Sequence, residues 1–223
     1  MIMNMLDRAK IYRTALRLGA AAYSGGMLGE GVLGWKLDPR VTLLSELAAR
    51  DREHRRLFQV LDLGAGSLFI TAGRTQRGGG SKWLGTWLEL FGAATIGDAL
   101  SPLDYPISHD HLRPGHAQKE WTPSASHTMH YVTTTVAGVA AAGICLEHWK
   151  MQRRAQAPDG LPARILRTCA GPAVGLLLLS ETLTVVFPQL LPGVVQRVQT
   201  LAFSALCLDL ADLGNDLNTN AAE

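Results

Sequence analysis

AVGLLLLSETLTVVF, residues 173–187, is the most apolar run in the chain, and it carries a single charge, Glu181. Extended back to Thr168 it gives a segment of about 20 residues, the length an α-helix needs to cross the hydrocarbon core of a bilayer. A free-standing soluble helix would show one apolar stripe instead of a run apolar on every side. Working outward, further apolar segments lie at 16–35 (LRLGAAAYSGGMLGEGVLGW), 57–73 (LFQVLDLGAGSLFITAG), 83–101 (WLGTWLELFGAATIGDALS), 127–149 and 194–213. The expectation is an all-α fold, a polytopic integral membrane bundle of about six transmembrane helices forming a single membrane domain over 1–223.

The connecting segments support that reading. Residues 36–56 and 102–126 are polar and lower the mean hydropathy of an otherwise apolar chain. VTLLSELAAR (41–50) has apolar residues at helical spacing, as in a short helix lying on the membrane surface. RTQRGGGSK (74–82) and PQLLPG (188–193) read as turns. Met1–Arg17 is basic and precedes an apolar stretch, as in a signal peptide, but that stretch continues to Trp35. An uncleaved first helix is expected. Glycine and alanine are frequent in the apolar segments, and Gly64 and Gly66 are expected to serve close helix packing.

Lysine and arginine number eleven in segments 1–15, 74–82 and 150–167, against eight in 36–56, 102–126 and 188–193. By the positive-inside rule this places both termini in the cytoplasm, N-in and C-in, with 36–56 and 102–126 as outer polar segments.

Composition excludes little else. Charged residues are 18% of the chain and the net charge is +2, so nothing favours nucleic acid as a partner. The three cysteines, Cys145, Cys169 and Cys207, sit in apolar runs without CxxC spacing and read as packing residues. HExxH and GxSxG motifs are absent, and Gly78-Gly79-Gly80 lacks the residues that complete a phosphate loop.

The expected topology places ionisable groups from every helix at one outer depth: Glu30, Asp62, Asp98, His127, His130, Glu181 and Arg197. A charge in the bilayer costs about 2.5–3.5 kcal/mol on insertion scales and usually faces the bundle interior. Glu30, Asp62, Asp98, Glu181 and Arg197 are therefore candidates to line an outward-facing polar pocket. Alternatively they snorkel, or pair with each other, Arg197 with Glu181 or Asp62. Glu89, Glu147, Asp209 and Asp212 fall towards the inner side.

Five of seven histidines lie between positions 109 and 130. His127 and His130, three apart, share a helix face, and with Asp98 they form a candidate zinc site. Zinc-activated water there would make a metal-dependent membrane hydrolase acting on lipids. Interfacial hydrogen bonding, or pH sensing, accounts for the same histidines without metal.

Two stretches carry a family resemblance. One is LSELAARDREHRRLFQVLDLGAGSLFITAG (44–73), a serine-centred SEL segment and a polar stretch before an aromatic-led helix. The other is DALSPLDYPISHDHL (98–112) followed by WTPSASHTMHYVTTTVAGVA (121–140), an aspartate/proline/serine loop before a helix entered by histidines. Over residues 15–213 the chain resembles the bacterial membrane family catalogued as domain of unknown function 998 (DUF998). Some relatives carry loop cysteines where this chain has Tyr105 and Ile107. The resemblance implies a six-helix bundle in a bacterial plasma membrane and supplies no reaction. A looser likeness to eukaryotic six-span families of autophagy modulators and lipid-sterol regulators points towards lipids. The resulting expectation is a multi-pass accessory protein of the inner membrane that binds a lipid or small amphiphile and is not an enzyme. Its partners would be the lipid bilayer, other membrane proteins, or a second copy in a homo-oligomer. A small transporter is the remaining alternative.

Overall fold

In the computed structural model, six α-helices run up and down as a closed ring. The described residues are 5–78, 80–108, 122–155, 160–187 and 190–220; side chains at 5, 181, 182, 184–186 and 214–220 lie outside the description. The helices are α1 (Met5–Val32), α2 (Arg55–Arg77), α3 (Lys82–Leu100), α4 (Ala125–Gln152), α5 (Leu161–Val186) and α6 (Pro192–Asn220), with a short 3-10 helix at Leu44–Ala48. No strand occurs among the described residues. Each helix packs on its chain neighbours, and α6 closes the ring against α1; the α4–α5 seam is the sparsest of the six. One end of the ring, the loop end, carries the 3-10 helix and the long connections. The other, the terminal end, carries the starts of α1, α3 and α5.

Local signals set the boundaries. Gly34 and Trp35 take left-handed conformations (φ 79° and 50°) and stop α1 three residues before the expected end. Ser81 and Ser124 cap α3 and α4, each side chain accepting a backbone N–H from the third residue on, Leu84 and His127, at 3.2 Å. Proline stands in the first turn of α5 and at the start of α6, where its missing N–H costs nothing. Residues 41–50 do not form a surface helix. Leu44–Ala48 coils as a 3-10 helix whose Glu46, Leu47 and Ala48 are buried, folding inward over the ring.

Helix α4, α5 over Leu161–Ser180, and α6 over Pro192–Leu213 are long and apolar enough to cross a membrane. The large side chains they expose are those a lipid face would present: Val139, Leu146, Leu176, Leu179, Val198 and Leu201. Helices α1 to α3 are less apolar. In α2 the hydroxyls of Ser67, Thr71 and Thr75 donate to their own helix's carbonyls four residues back at 2.7–2.9 Å, so they do not remain free donors.

Glycine decides how α2 meets α3. A Cβ on Gly66 would stand 2.6 Å from the Gly92 carbonyl oxygen, and one on Gly73 would stand 2.6 Å from that of Gly85. Each contact is reciprocal, so the antiparallel helices touch backbone to backbone at two points. Gly64, expected to share this packing, faces open space. Below the loop end, Tyr23, Phe69, Phe91 and Phe203 from four helices stack with ring centroids 4.4–6.2 Å apart.

Because backbone cannot yield as a flexible side chain does, Gly66→Ala or Gly92→Ala is expected to lower stability by about 1–3 kcal/mol, the usual cost of overpacking. Gly64→Ala should raise it by about 0.5–1 kcal/mol, since helical glycine is penalised and nothing obstructs the methyl. Thermal unfolding of the detergent-solubilised variants reads the difference; equal effects at all three positions would refute the backbone contact.

Candidate functional site

Arg197, in the first turns of α6, organises the loop end. Its Nη2 donates to both carboxylate oxygens of Glu30 on α1 at 2.6 and 2.7 Å, and its Nε to one of them at 3.1 Å. Nη1 reaches the carbonyls of Pro39, Thr42 and Gly193 at 2.7–2.9 Å. Both side chains are buried. The expected partners Glu181 and Asp62 are not the ones used: Asp62 stands elsewhere, and the Glu181 side chain lies outside the described residues. Arginine suits this place because its planar fork satisfies a carboxylate and several carbonyls together. The pin holds segment 36–43 across the α1–α6 seam and sets the 3-10 helix over the ring.

Glu46 does the same from below. It is fully buried, and its carboxylate accepts the Leu43 N–H at 3.1 Å, the Ser108 N–H at 2.9 Å and the Ser108 hydroxyl. The SEL segment is therefore a staple between the 3-10 helix and the loop that follows α3. That loop is also held by the Leu103 carbonyl, which accepts the Arg50 N–H at 2.9 Å.

Beneath this lid lies a cavity of about 130 Å³, lined from all six helices and the 3-10 helix. Its upper wall is polar: Asp62 on α2, Thr95 and Asp98 on α3, His130 and Thr134 on α4, Gln196 and Gln199 on α6. Its floor is the aromatic group Tyr23, Phe91 and Phe203. Asp98 accepts from the hydroxyls of Thr133 and Thr134, the latter at 3.2 Å. His130 Nδ1 faces the Ser101 carbonyl at 3.1 Å, with Asp98 at 3.5 Å. Among the described residues the half-buried Asp62 makes no hydrogen bond or ion pair, and the Gln199 amide oxygen is buried without a partner. On one flank Gly138 lines the cavity, yet a Cβ there would meet nothing within 4 Å. That flank lies on α4, which borders the sparse seam to α5.

The candidates thus separate. Asp62, Asp98 and His130 meet at one cavity. Glu30 and Arg197 form the pin above it. His127 turns away: its Nδ1 accepts the Asp104 N–H at 3.2 Å, which places the ring proton on Nε2, 3.1 Å from the Tyr131 hydroxyl. With both nitrogens engaged, His127 has no lone pair to give a metal. No group of three or more metal-ligating side chains gathers among the described residues. His109, Asp110, His111 and His116 lie outside them.

A second cleft of about 260 Å³ opens at the loop end between Glu30, Lys36, Leu47 and residues 51–54. Each of its carboxylates has a neighbour: Asp51 has Arg52, Glu53 has His54 at 3.8 Å and Glu30 has Arg197, while Lys36 makes no ion pair among the described residues. It is larger but leaves no carboxylate in search of a partner, so the central cavity is the stronger candidate. At the terminal end the inner acids are paired as well: Glu89 with Arg77, Glu147 with Lys150, Asp212 with Arg17. Asp209 takes His148 Nε2 at 2.7 Å and Arg167 Nε at 3.4 Å, a buried link between α4, α5 and α6 that the sequence pattern did not reveal.

A helical bundle with three helices long and apolar enough to cross a membrane, closed around a half-polar cavity, has the features of a helical membrane protein. The chain belongs to the family described as protein of unknown function (DUF998), which matches residues 18–211. No curated protein and no solved structure matches the chain.

Two outcomes follow from the geometry. Replacing Arg197 by leucine strands a buried carboxylate and should cost about 3–5 kcal/mol, with the Glu30→Leu/Arg197→Leu pair recovering part of that loss; chemical denaturation of the three proteins measures it. In the loop, burial raises the Asp104 pKa, but the two donors of Ser124 and the positive charge of Arg50 outweigh it and hold the group below the usual carboxylate range. Its folded value being depressed, it contributes stability above the ordinary carboxylate pKa of about 4 and loses it as pH falls through the folded value. The protection of amides 124–128, taken relative to the intrinsic exchange rate at each pH, should therefore fall on acidification from pH 5 towards 3, and Asp104→Asn should flatten that pH dependence.

Proposed function

We propose that this protein spans the bacterial plasma membrane with all six helices, both termini in the cytoplasm, and binds a lipid or small amphiphile in its central cavity. The observation that carries this reading is the cavity's polarity gradient. Carboxylates, an imidazole and amides form its upper wall, aromatic rings form its floor, and an open flank sits beside the loosest seam of the ring. An amphiphile has that same division, a polar head on an apolar chain, and the open flank gives the chain a way out towards lipid. The role is accessory binding, not catalysis. The excess of basic residues on the terminal-end segments supports the orientation.

The test is lipid retention. Protein purified in mild detergent should carry a co-purifying lipid or amphiphile detectable by native mass spectrometry. Gly138→Trp, whose side chain would enter the open flank without displacing neighbours, should reduce that occupancy at least tenfold while leaving the unfolding temperature unchanged or higher. Unaltered occupancy in a folded Gly138→Trp protein would remove the cavity as the binding site.

A further inference from the structure

We infer that the cavity selects an amphiphile with a protonated amine head, held by the Asp62 carboxylate and the Gln199 amide oxygen. The inference rests on the amphiphile reading above and adds the chemistry of the head.

The argument is a count of donors and acceptors. Among the residues lining the cavity there is no lysine or arginine, but two aspartates. The cation above them, Arg197, is already shared among Glu30 and three carbonyls. Asp98 is supplied by Thr133 and Thr134, whereas Asp62, with the like charge of Asp98 near it, makes no hydrogen bond or ion pair among the described residues. The Gln199 amide oxygen, buried and unpartnered, is also an acceptor. His130 donates its Nδ1–H to the Ser101 carbonyl, so that proton is already spent. The lining therefore offers two carboxylates and no lysine or arginine to balance them, and a protonated amine brings one positive charge and three N–H donors.

Burying a carboxylate without a partner is costly, and the cost is relieved most by a charge-assisted hydrogen bond from a cation. A phosphate or carboxylate head would instead meet Asp62 and Asp98 with like charge, which rejects it. Below the head, Tyr23, Phe91 and Phe203 offer aromatic surface to the first carbons of a chain. A free long-chain amine and the amine of an aminolipid share this chemistry.

The experiment compares four probes on the detergent-solubilised protein: hexadecylamine, hexadecanol, palmitate and butylamine, read by native mass spectrometry and by the shift in unfolding temperature. Hexadecylamine should bind at least about tenfold more tightly than hexadecanol, the scale of one charged hydrogen bond, and palmitate should not bind. Asp62→Asn should erase the preference for amine over alcohol while leaving hexadecanol binding unchanged. Gln199→Leu, which removes the second acceptor without touching a charge, should weaken hexadecylamine severalfold and gives an independent reading if Asp62→Asn does not fold. Equal binding of amine, alcohol and palmitate would overturn the charge selection and leave the amphiphile reading standing. Butylamine binding as tightly as hexadecylamine would keep the amine site and overturn the amphiphile reading. Binding of none of the four would overturn both.

Discussion

A single guanidinium, that of Arg197, holds together the parts on which everything else at the loop end depends. Helices α1 and α6 are the two ends of the ring, and the salt bridge to Glu30 lies across the seam they form. The same side chain gathers the carbonyls of Pro39 and Thr42, fixing the backbone that leads into the 3-10 helix. Desolvating two charges costs several kcal/mol per ion, and attraction alone does not guarantee a net gain. What it secures here is position. With Arg197 engaged on every nitrogen, the lid has one place to sit and the cavity beneath has a defined roof.

Against that background the cavity stands out by contrast. Glu46, Glu89, Asp104, Glu147, Asp209 and Asp212 each have a donor or a cation at hand. The bundle consistently satisfies its buried acids, as low polarity demands. Asp62 departs from that pattern on the wall where the Gln199 oxygen is also left over. An isolated lapse in polar pairing has little meaning; two on the same wall of one cavity are what the amine proposal rests on.

The apolar runs made the helices legible, because membrane-length hydrophobicity needs no tertiary information. Depth along those helices also brought Asp62, Asp98 and His130 into one short list. Rotation about the helix axis is not legible in the sequence: His127, only three residues from His130, is engaged instead by the cap at Ser124 and the loop at Asp104. Pairings across long separations were hidden for the same reason. Glu30 meets Arg197 and His148 meets Asp209 only once the ring closes. Glu46 looked like a surface residue in a polar segment, since nothing local announces that Ser108 will fold over it. The glycines of α2 illustrate the limit well: Gly64 and Gly66 are equivalent in the sequence, yet only Gly66 meets another backbone.

The seam between α1 and α6 also has a history in time. Glu30 precedes Arg197 by 167 residues, with four complete helices between them. At a synthesis rate of roughly 5–20 residues per second, the carboxylate leaves the ribosome some 10–30 s before its counter-ion exists. The α2–α3 hairpin, joined by a short turn and zipped by facing glycines, can assemble within that interval; the ring cannot. Until the last helix arrives, α1 carries an acid with no cation, a state in which protonation, a water-filled vestibule or a biogenesis factor must stand in for the missing arginine. Until α6 is made, the loop end has neither this salt bridge nor the pin that holds residues 39 and 42.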